Sequence, residues 1–286
     1  MDALRIGPLV LPWGPLILAL GYAVAVFVAG AAQRKGQGHA EPALLPLLVL
    51  ALVVARAVFV AQNLANYPTI LSMLDIRDRG FAPVAGWVAA VLGVAFWAWR
   101  RPALRRSLPM SAATGAAAVL AAGALLQAVQ PARPPLPQLS LQRLRSGEEG
   151  SAPVGATLAL ARPGGEVALR SLEGKPLVLN LWATWCPPCR RELPTLVQAA
   201  QREHKVRIVL VNEGESAQRV ADFLRHEKLA PPEVLLDPGS RLLSDYQSPG
   251  LPTTLFIAAD GKVRRMHLGE LSAATLQQGI AELGGR

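Results

Sequence analysis

Four long apolar runs in the N-terminal half constrain this 286-residue chain more than any other feature. They cover residues 8–32, 43–61, 81–99 and 108–130. A helix of roughly 20 residues crosses the hydrocarbon layer of a bilayer and satisfies its own backbone polar groups. The sequence therefore predicts an α-helical membrane domain with four spans at 1–130. The first run is too long for the core of a signal peptide, and further spans follow it, so we expect it to be retained.

The positive charge of the chain is concentrated in the same half. Of the net charge of +9, residues 1–134 contribute +7, from 11 Lys and Arg against 4 Asp and Glu. The basic residues of two alternate loops are Arg34, Lys35, Arg100, Arg101, Arg105 and Arg106. Because Lys and Arg near span ends collect on the cytoplasmic side, we expect both termini to face away from the cytoplasm. The arginines at 100–106 also fit a lipid-headgroup site. With Trp97 and Trp99 beside them they are typical of a membrane interface, and no nucleic-acid partner is predicted.

One ionisable residue, Arg56, lies inside the second apolar run. A charge within a span is costly and is by default a functional hypothesis, so Arg56 is a candidate site of the membrane domain. Two alternatives stay open. Arg56 pairs structurally with Asp75 or Asp78, or it lies nearer the interface than the run suggests.

Several motifs of this half resemble the front of prolipoprotein diacylglyceryl transferases. They are Ile6-Gly7-Pro8, Pro12-Trp13, Gln33-Arg34-Lys35, Ala55-Arg56-Ala57, Tyr67 and Asp75-Ile76-Arg77-Asp78-Arg79-Gly80. That family carries a His-Gly-Gly motif shortly afterwards, whereas this chain has Phe81-Ala82-Pro83-Val84-Ala85-Gly86. Too few spans follow to complete the enzyme. The region therefore resembles a truncated member, and a lipid-binding or diacylglyceryl-transferase-like role is an alternative rather than the main hypothesis.

A change of composition separates this half from a second domain. Proline-rich and then polar sequence at 131–150 predicts an extended linker. Beyond it, 151–286 alternates short apolar runs with amphipathic segments, which predicts an α/β domain. Its predicted strands are a hairpin of Thr157–Leu160 with Val167–Leu169, then Leu177–Trp182, Val206–Val211, Val234–Leu236, Thr253–Ile257 and Val263–His267. Its predicted helices follow Cys186, lie near Ser216–Lys228 and Arg241–Tyr246, and begin at Ser272.

The chain has two cysteines, Cys186 and Cys189, at the predicted junction of a buried strand and a helix. Helix N–H groups and the positive end of the helix dipole stabilise a thiolate there, so Cys186 is the predicted nucleophile and Cys189 resolves the mixed disulfide. Pro187 and Pro188 fit the first helical turn, where a missing N–H is tolerated. Zinc needs further ligands, and neither a second CxxC nor histidines at ligand spacing exist, so no metal is predicted.

These residues also carry a resemblance to TlpA/ResA-type membrane-anchored thiol:disulfide reductases. The matching motifs are Asn180-Leu181-Trp182-Ala183-Thr184-Trp185-Cys186-Pro187-Pro188-Cys189-Arg190-Arg191-Glu192-Leu193-Pro194, Gly250-Leu251-Pro252-Thr253-Thr254 and Asp260-Gly261-Lys262. The resemblance implies a thioredoxin-like fold and a cis Leu251–Pro252 bond beside the cysteines, where the Leu251 backbone contacts substrate. An ordinary turn proline is the alternative at Pro252.

Three further residues complete the predicted site. Glu192 lies one helical turn beyond Cys189, where a partly buried carboxylate can exchange a proton with the thiol. The resemblance implies the same role, and a solvated glutamate on the helix face is the alternative. Trp182 and Trp185 are interpreted as walls of the site, near Pro187 and Pro188, rather than as part of the chemistry.

Together these features predict a membrane-anchored protein-disulfide reductase that exchanges two electrons with disulfides or thiols of exported proteins. A thiol oxidase or disulfide isomerase with the same cysteines is the alternative. The predicted location is the bacterial inner membrane, with the second domain in the periplasm and no cofactor beyond the Cys186–Cys189 disulfide. Because the apolar runs contain no cysteine, we expect a separate membrane thiol carrier to supply electrons.

Overall fold

A computed structural model of the protein describes residues 3–6, 9–67, 69–129, 134–144 and 163–284. Its internal contacts divide the chain into two units. We call Ala3–Pro131 the N-terminal unit and Ala132–Arg286 the C-terminal unit. Each unit is described by itself.

Among the described residues of the N-terminal unit, four helices are long and apolar enough to cross a membrane by length and composition. They are α1 (Trp13–Arg34), α2 (Glu41–Gln62), α4 (Pro83–Arg100) and α5 (Ser107–Val129). A hairpin of β1 (Ala3–Ile6) and β2 (Leu9–Pro12) precedes them, and the short α3 (Ile70–Leu74) follows α2. The first helix begins at Trp13 rather than near residue 8, because Pro12 is extended and ends the hairpin strand.

Small residues allow α1 and α5 to pack closely. A Cβ atom added to Gly21 would lie 2.3 Å from Val119 Cγ2 and 2.9 Å from the carbonyl oxygen of Gly115. A Cβ atom added to Gly115 would lie 2.7 Å from the carbonyl oxygen of Gly21. Larger side chains at these positions would separate the two helices, which is why membrane helix interfaces favour glycine and alanine.

The described part of the C-terminal unit is a seven-stranded sheet in the order β4-β3-β7-β6-β5-β8-β9. Its strands are β3 (Ser140–Leu144), β4 (Pro163–Ala168), β5 (Leu177–Trp182), β6 (Arg207–Glu213), β7 (Val234–Asp237), β8 (Thr253–Ile257) and β9 (Val263–Leu268). Its helices are α6 (Pro187–Arg202), α7 (Ala217–His226), α8 (Arg241–Asp245) and α9 (Ala273–Gly284).

The central strand β5 carries the active-site segment. It pairs in parallel with β6 and antiparallel with β8, and all six of its residues are buried. A strand covered on both faces reads as a continuous apolar run, as the sequence of β5 does. Alternate residues enter two hydrophobic clusters, one on each face, so the chain leaves the end of β5 between two packed layers. The prediction of a thioredoxin-like α/β domain is confirmed.

The structure differs from the sequence at the predicted linker 131–150. Part of that stretch, Ser140–Leu144, is strand β3, which pairs antiparallel with β4 and β7. Leu136, Leu139 and Leu141 are buried in the core. Proline composition hid this strand, because the alternation of leucines with polar residues is short. The predicted hairpin partner Thr157–Leu160 lies outside the described residues.

Candidate active site

The two cysteines form a disulfide at the start of α6. Cys186 is the N-cap of the helix, and the Cys189 amide nitrogen lies 3.3 Å from the Cys186 sulfur. Cys186 is 3% exposed, whereas Cys189 is completely buried. A thiolate at the Cys186 position therefore receives N–H donors and the positive helix end. Within the pair, Cys186 is the sulfur that an incoming partner reaches first.

Pro252 and its neighbours, which directly precede β8, are held by a hydrogen bond and by packing. The Leu251–Pro252 peptide bond is cis, as the resemblance implies. The Thr253 hydroxyl donates to the Gly250 carbonyl at 2.7 Å, and Leu251 packs against the hydrophobic cluster that contains both cysteines. The Gly250–Thr253 backbone and the disulfide thus belong to one packed site.

Glu192 is buried, with 1% exposure, rather than solvated on the helix face. Its carboxylate accepts hydrogen bonds from Asn180 Nδ2 and from the Leu271 N–H, each at 2.7 Å. The pKa of Glu192 is raised from 4.5 to about 8, chiefly by burial and to a smaller degree by the nearby charge of Glu270, and the two hydrogen bonds act in the opposite direction. At neutral pH Glu192 therefore holds a proton one helical turn from Cys189 on α6.

The other predicted site residues near the cysteines differ in how far they are exposed. Trp185 precedes Cys186 and is 66% exposed, so its ring is available to a partner. Pro187 is exposed and Pro188 is half-buried in the first turn of α6. The indole of Trp182 is instead buried and packs on Phe223 of α7. Trp185 and the two prolines form the outer surface of the site.

Sequence reasoning missed Glu215, which fixes the segment before the cysteines. Its carboxylate accepts the backbone N–H of Thr184 at 2.7 Å, the Thr184 hydroxyl at 2.6 Å and the side-chain amide of Asn212 at 2.8 Å. Thr184 lies two residues before Cys186. Glu215 follows β6 and Thr184 follows β5, and these two strands are parallel neighbours, which bring their carboxyl ends to one edge of the sheet. That pairing was the signal that could have placed the two residues together.

Arg56 lies in the N-terminal unit and makes four hydrogen bonds to protein groups. It donates to the Asp78 carboxylate at 2.8 Å and to the carbonyls of Gly80, Asp75 and Met73 at 2.7, 2.7 and 3.1 Å. Its guanidinium also lies within 6.0 Å of the centres of three rings, those of Phe59, Tyr67 and Phe81. Asp75 contributes its backbone rather than its carboxylate. This geometry joins α2 to the loop before α4 and is that of a structural arginine.

Comparison with known proteins places the C-terminal unit in a family. The sequence profile of the AhpC/TSA family matches residues 152–266. The chain is 33% identical over 117 residues to the thiol-disulfide oxidoreductase ResA of Halalkalibacterium halodurans, covering 40% of this chain and 66% of that protein. It is 35% identical over 115 residues to ResA of Bacillus subtilis, covering 40% and 64%. The chain thus spans slightly less than two thirds of these ResA proteins.

A third relative is matched over more of its length. The chain is 30% identical over 115 residues to the sporulation thiol-disulfide oxidoreductase A of Bacillus subtilis, covering 38% of this chain and 69% of that protein. The crystal structure of StoA from the same species aligns with a TM-score of 0.39 and 23% identity, covering 51% of this chain and 99% of StoA. The family match lies outside 1–130, so the resemblance to diacylglyceryl transferases stays a prediction. Through its C-terminal unit, the chain belongs to the thioredoxin-like thiol-disulfide oxidoreductases of the ResA and StoA type.

Proposed function

We propose that the chain is a membrane-anchored protein-disulfide reductase, which gives two electrons from its Cys186–Cys189 dithiol to disulfides of exported proteins. One observation carries the proposal. The cysteine pair begins α6 with Cys186 outermost, and the buried Glu192 lies one helical turn further along. This arrangement supplies a nucleophile, a resolving thiol and a group that exchanges protons. No cofactor beyond the disulfide is required.

The exchange proceeds in two steps from the reduced protein. The Cys186 thiolate attacks one sulfur of the substrate disulfide, which forms a mixed disulfide and releases the other substrate sulfur as a thiolate. Cys189 then attacks the Cys186 sulfur, which closes the protein disulfide and releases the second substrate sulfur. Two electrons pass to the substrate in total.

Glu192 serves the proton balance of these steps. Its pKa of about 8 is close to that of an ordinary thiol, so a proton moves between Cys189 and Glu192 at little cost in either direction. The carboxylate form takes the proton that Cys189 loses before it attacks, and the acid form gives that proton to the second substrate sulfur, which leaves as a thiol. The first substrate sulfur leaves as a thiolate and takes its proton from solvent.

The N-terminal unit serves as the anchor in this proposal. The arginines and Lys35 of two alternate loops orient the four helices, with both termini facing away from the cytoplasm. The C-terminal unit then works in the periplasm of a bacterium, anchored in the inner membrane. Electrons come from a separate membrane thiol carrier, because α1, α2, α4 and α5 contain no cysteine.

A trapping experiment tests the exchange chemistry. The full chain in detergent micelles is reduced, freed of reductant and mixed with oxidised glutathione as the model disulfide. We expect Cys189→Ser to accumulate a mixed disulfide on Cys186, the wild type to pass through it, and Cys186→Ser to form no adduct because Cys189 is buried. Absence of an adduct on Cys189→Ser refutes the proposal.

The direction of exchange requires a separate measurement, because an oxidase or isomerase uses the same cysteines. The wild-type chain is equilibrated in glutathione buffers of graded ratio, and its reduced fraction is counted by thiol alkylation. A reductase is expected near the potential of thioredoxin, about −270 mV, and a strong oxidant near about −120 mV. A value at the oxidising end favours the oxidase alternative and refutes the reductase assignment.

A further inference from the structure

Three consecutive residues, Gly269, Glu270 and Leu271, connect separate parts of the site, and we call them the strap. The Gly269 N–H donates to the carbonyl of the cis residue Pro252 at 2.9 Å. The Leu271 N–H donates to Glu192 Oε2 at 2.7 Å. The strap therefore touches both the proline segment and the buried carboxylate.

An ion pair fastens the strap to the cysteine helix. Arg191 donates to Glu270 Oε2 through Nε at 2.9 Å and through Nη2 at 2.7 Å. Arg191 is the residue before Glu192, and Glu270 is the residue before Leu271. The side chains are 47% and 20% exposed, so the pair lies at the rim of the site. It holds together the two backbone segments that the hydrogen bond from Leu271 to Glu192 joins.

We propose that Arg191 and Glu270 are positioning residues that set the proton affinity of Glu192, by holding the strap in place and by balancing each other's charge. The inference deepens the proposed function and rests on it, since Glu192 is the proton-exchanging group there. Neither residue touches the reacting sulfurs in this role. Both act through Glu192.

The charges around Glu192 give the two residues opposite effects. Among the described residues, Glu270 on the strap is the charged group that acts on Glu192. Cys189 and Arg191 lie on the same helix as Glu192, and the ring of His267 on β9 lies 3.3 Å from the Glu270 carbonyl. The partner from β5, Asn180, is neutral, and so is Thr254 of β8, which accepts a second hydrogen bond from Asn180. A negative Glu270 favours the protonated form of Glu192. Because Arg191 is paired with Glu270, its positive charge should offset that effect.

Opposite shifts therefore distinguish this role from a merely structural one. Glu270→Gln removes the negative charge and keeps an oxygen that accepts from Arg191, so Glu192 should release its proton at lower pH. Arg191→Met removes the offsetting cation and loosens the strap, so Glu192 should release its proton at higher pH. Because Glu270→Gln keeps the contact with Arg191, a purely structural clamp predicts a shift in Arg191→Met alone.

The neighbouring pair of Arg190 and Glu227 supplies a matched control. Arg190 lies one residue earlier on the same helix, donates to Glu227 at 2.8 Å, and has a similar exposure of 51% against 33% for Glu227. It packs over Phe223 of α7 rather than against the strap. Arg190→Met should leave the titration of Glu192 unchanged.

The experiment follows Glu192 itself in the oxidised full chain in detergent micelles. Infrared spectra recorded from about pH 6 to about pH 10 bracket its expected pKa of about 8. The protonated-carboxyl band of Glu192 is the one that Glu192→Gln removes. We expect the midpoint to move down by about half a pH unit in Glu270→Gln and up by a similar amount in Arg191→Met, about a threefold change in proton affinity each.

The double variant Arg191→Met with Glu270→Gln should titrate between the two single variants, because both charges are gone but the strap is no longer held. Shifts in the same direction, a shift in only one or in neither single variant, or an equal shift in Arg190→Met would each overturn the inference. The spectra require no substrate. A chain that titrates as expected but forms no mixed disulfide refutes the proposed function and leaves the strap's effect on Glu192 established.

Discussion

Replacing Glu192 with Gln should remove a large part of the pH dependence of stability in the C-terminal unit. Burial raises the pKa of Glu192 from 4.5 to about 8 in the folded protein, and unfolding returns it to its ordinary value. Below pH 4.5 both states are protonated, and the stability is fully present. As the pH rises towards 8, the unfolded chain binds one proton fewer than the folded one, so the stability falls.

The magnitude follows from the width of that pH window. Each pH unit lowers the free energy of unfolding by about 1.4 kcal/mol for one such group, or on the order of 5 kcal/mol over the whole window. Glu213, also buried, has its pKa raised to about 8 by burial and then by the charge of Asp237. The wild type should therefore lose stability at about twice the slope of a single group, and Glu192→Gln should halve that slope.

Urea unfolding of the oxidised full chain in detergent, at several pH values between about 5.5 and 7.5, measures this slope. The tryptophans of the N-terminal unit are replaced with Phe, so that the buried Trp182 reports on the C-terminal unit. Glu213→Gln is the matched comparison and should also halve the slope, while the double variant should be nearly flat. Equal slopes in Glu192→Gln and the wild type would show that Glu192 is already ionised at neutral pH.

Three more predictions test other contacts. Glu215→Ala should slow thiol exchange, measured by stopped flow, about tenfold or more, because three hydrogen bonds are lost. Glu215→Gln keeps an acceptor and adds a donor, so its exchange rate should stay within about threefold of the wild type. Arg56→Met should destabilise the N-terminal unit by about 3–5 kcal/mol in thermal unfolding, and Arg56→Lys should restore only part of it because it lacks the planar fork. Gly279→Ala should cost about 1–3 kcal/mol in urea unfolding, since its Cβ would lie 2.2 Å from the Phe256 ring, while Gly284→Ala in open space should be neutral or slightly stabilising.

Local patterns made the main elements of the site predictable from the sequence. The apolar run of β5, the CxxC spacing and the prolines after Cys186 fix a buried strand, a turn and a helix start within a few residues of one another. The helix predicted at Arg241–Tyr246 is observed as α8 (Arg241–Asp245), because a short amphipathic pattern is enough to identify it. Features of this kind need no information about distant parts of the chain.

Contacts between distant residues account for what the sequence did not reveal. Strand β3 exists because β4 and β7 pair with it, and β7 lies about 90 residues further along the chain. Glu192 was identified as a carboxylate near the cysteines, but its hydrogen bond from Leu271 spans 79 residues. The Arg191–Glu270 ion pair joins residues that are equally far apart in the sequence, so it could not be predicted from local patterns either. Periodicity in the sequence shows which face of a helix or strand is buried. It does not show which groups from distant parts of the chain contact that face.

The close contact between Gly21 of α1 and Gly115 of α5 has a consequence for assembly of the proposed membrane anchor. Of the four long helices, α1 is synthesised first and α5 last, so this interface cannot form until all four have been made. In the proposed anchor, α1 therefore keeps its glycine-containing face uncovered until α5 has been made. A nascent chain that stalls before α5 leaves α1 without this partner.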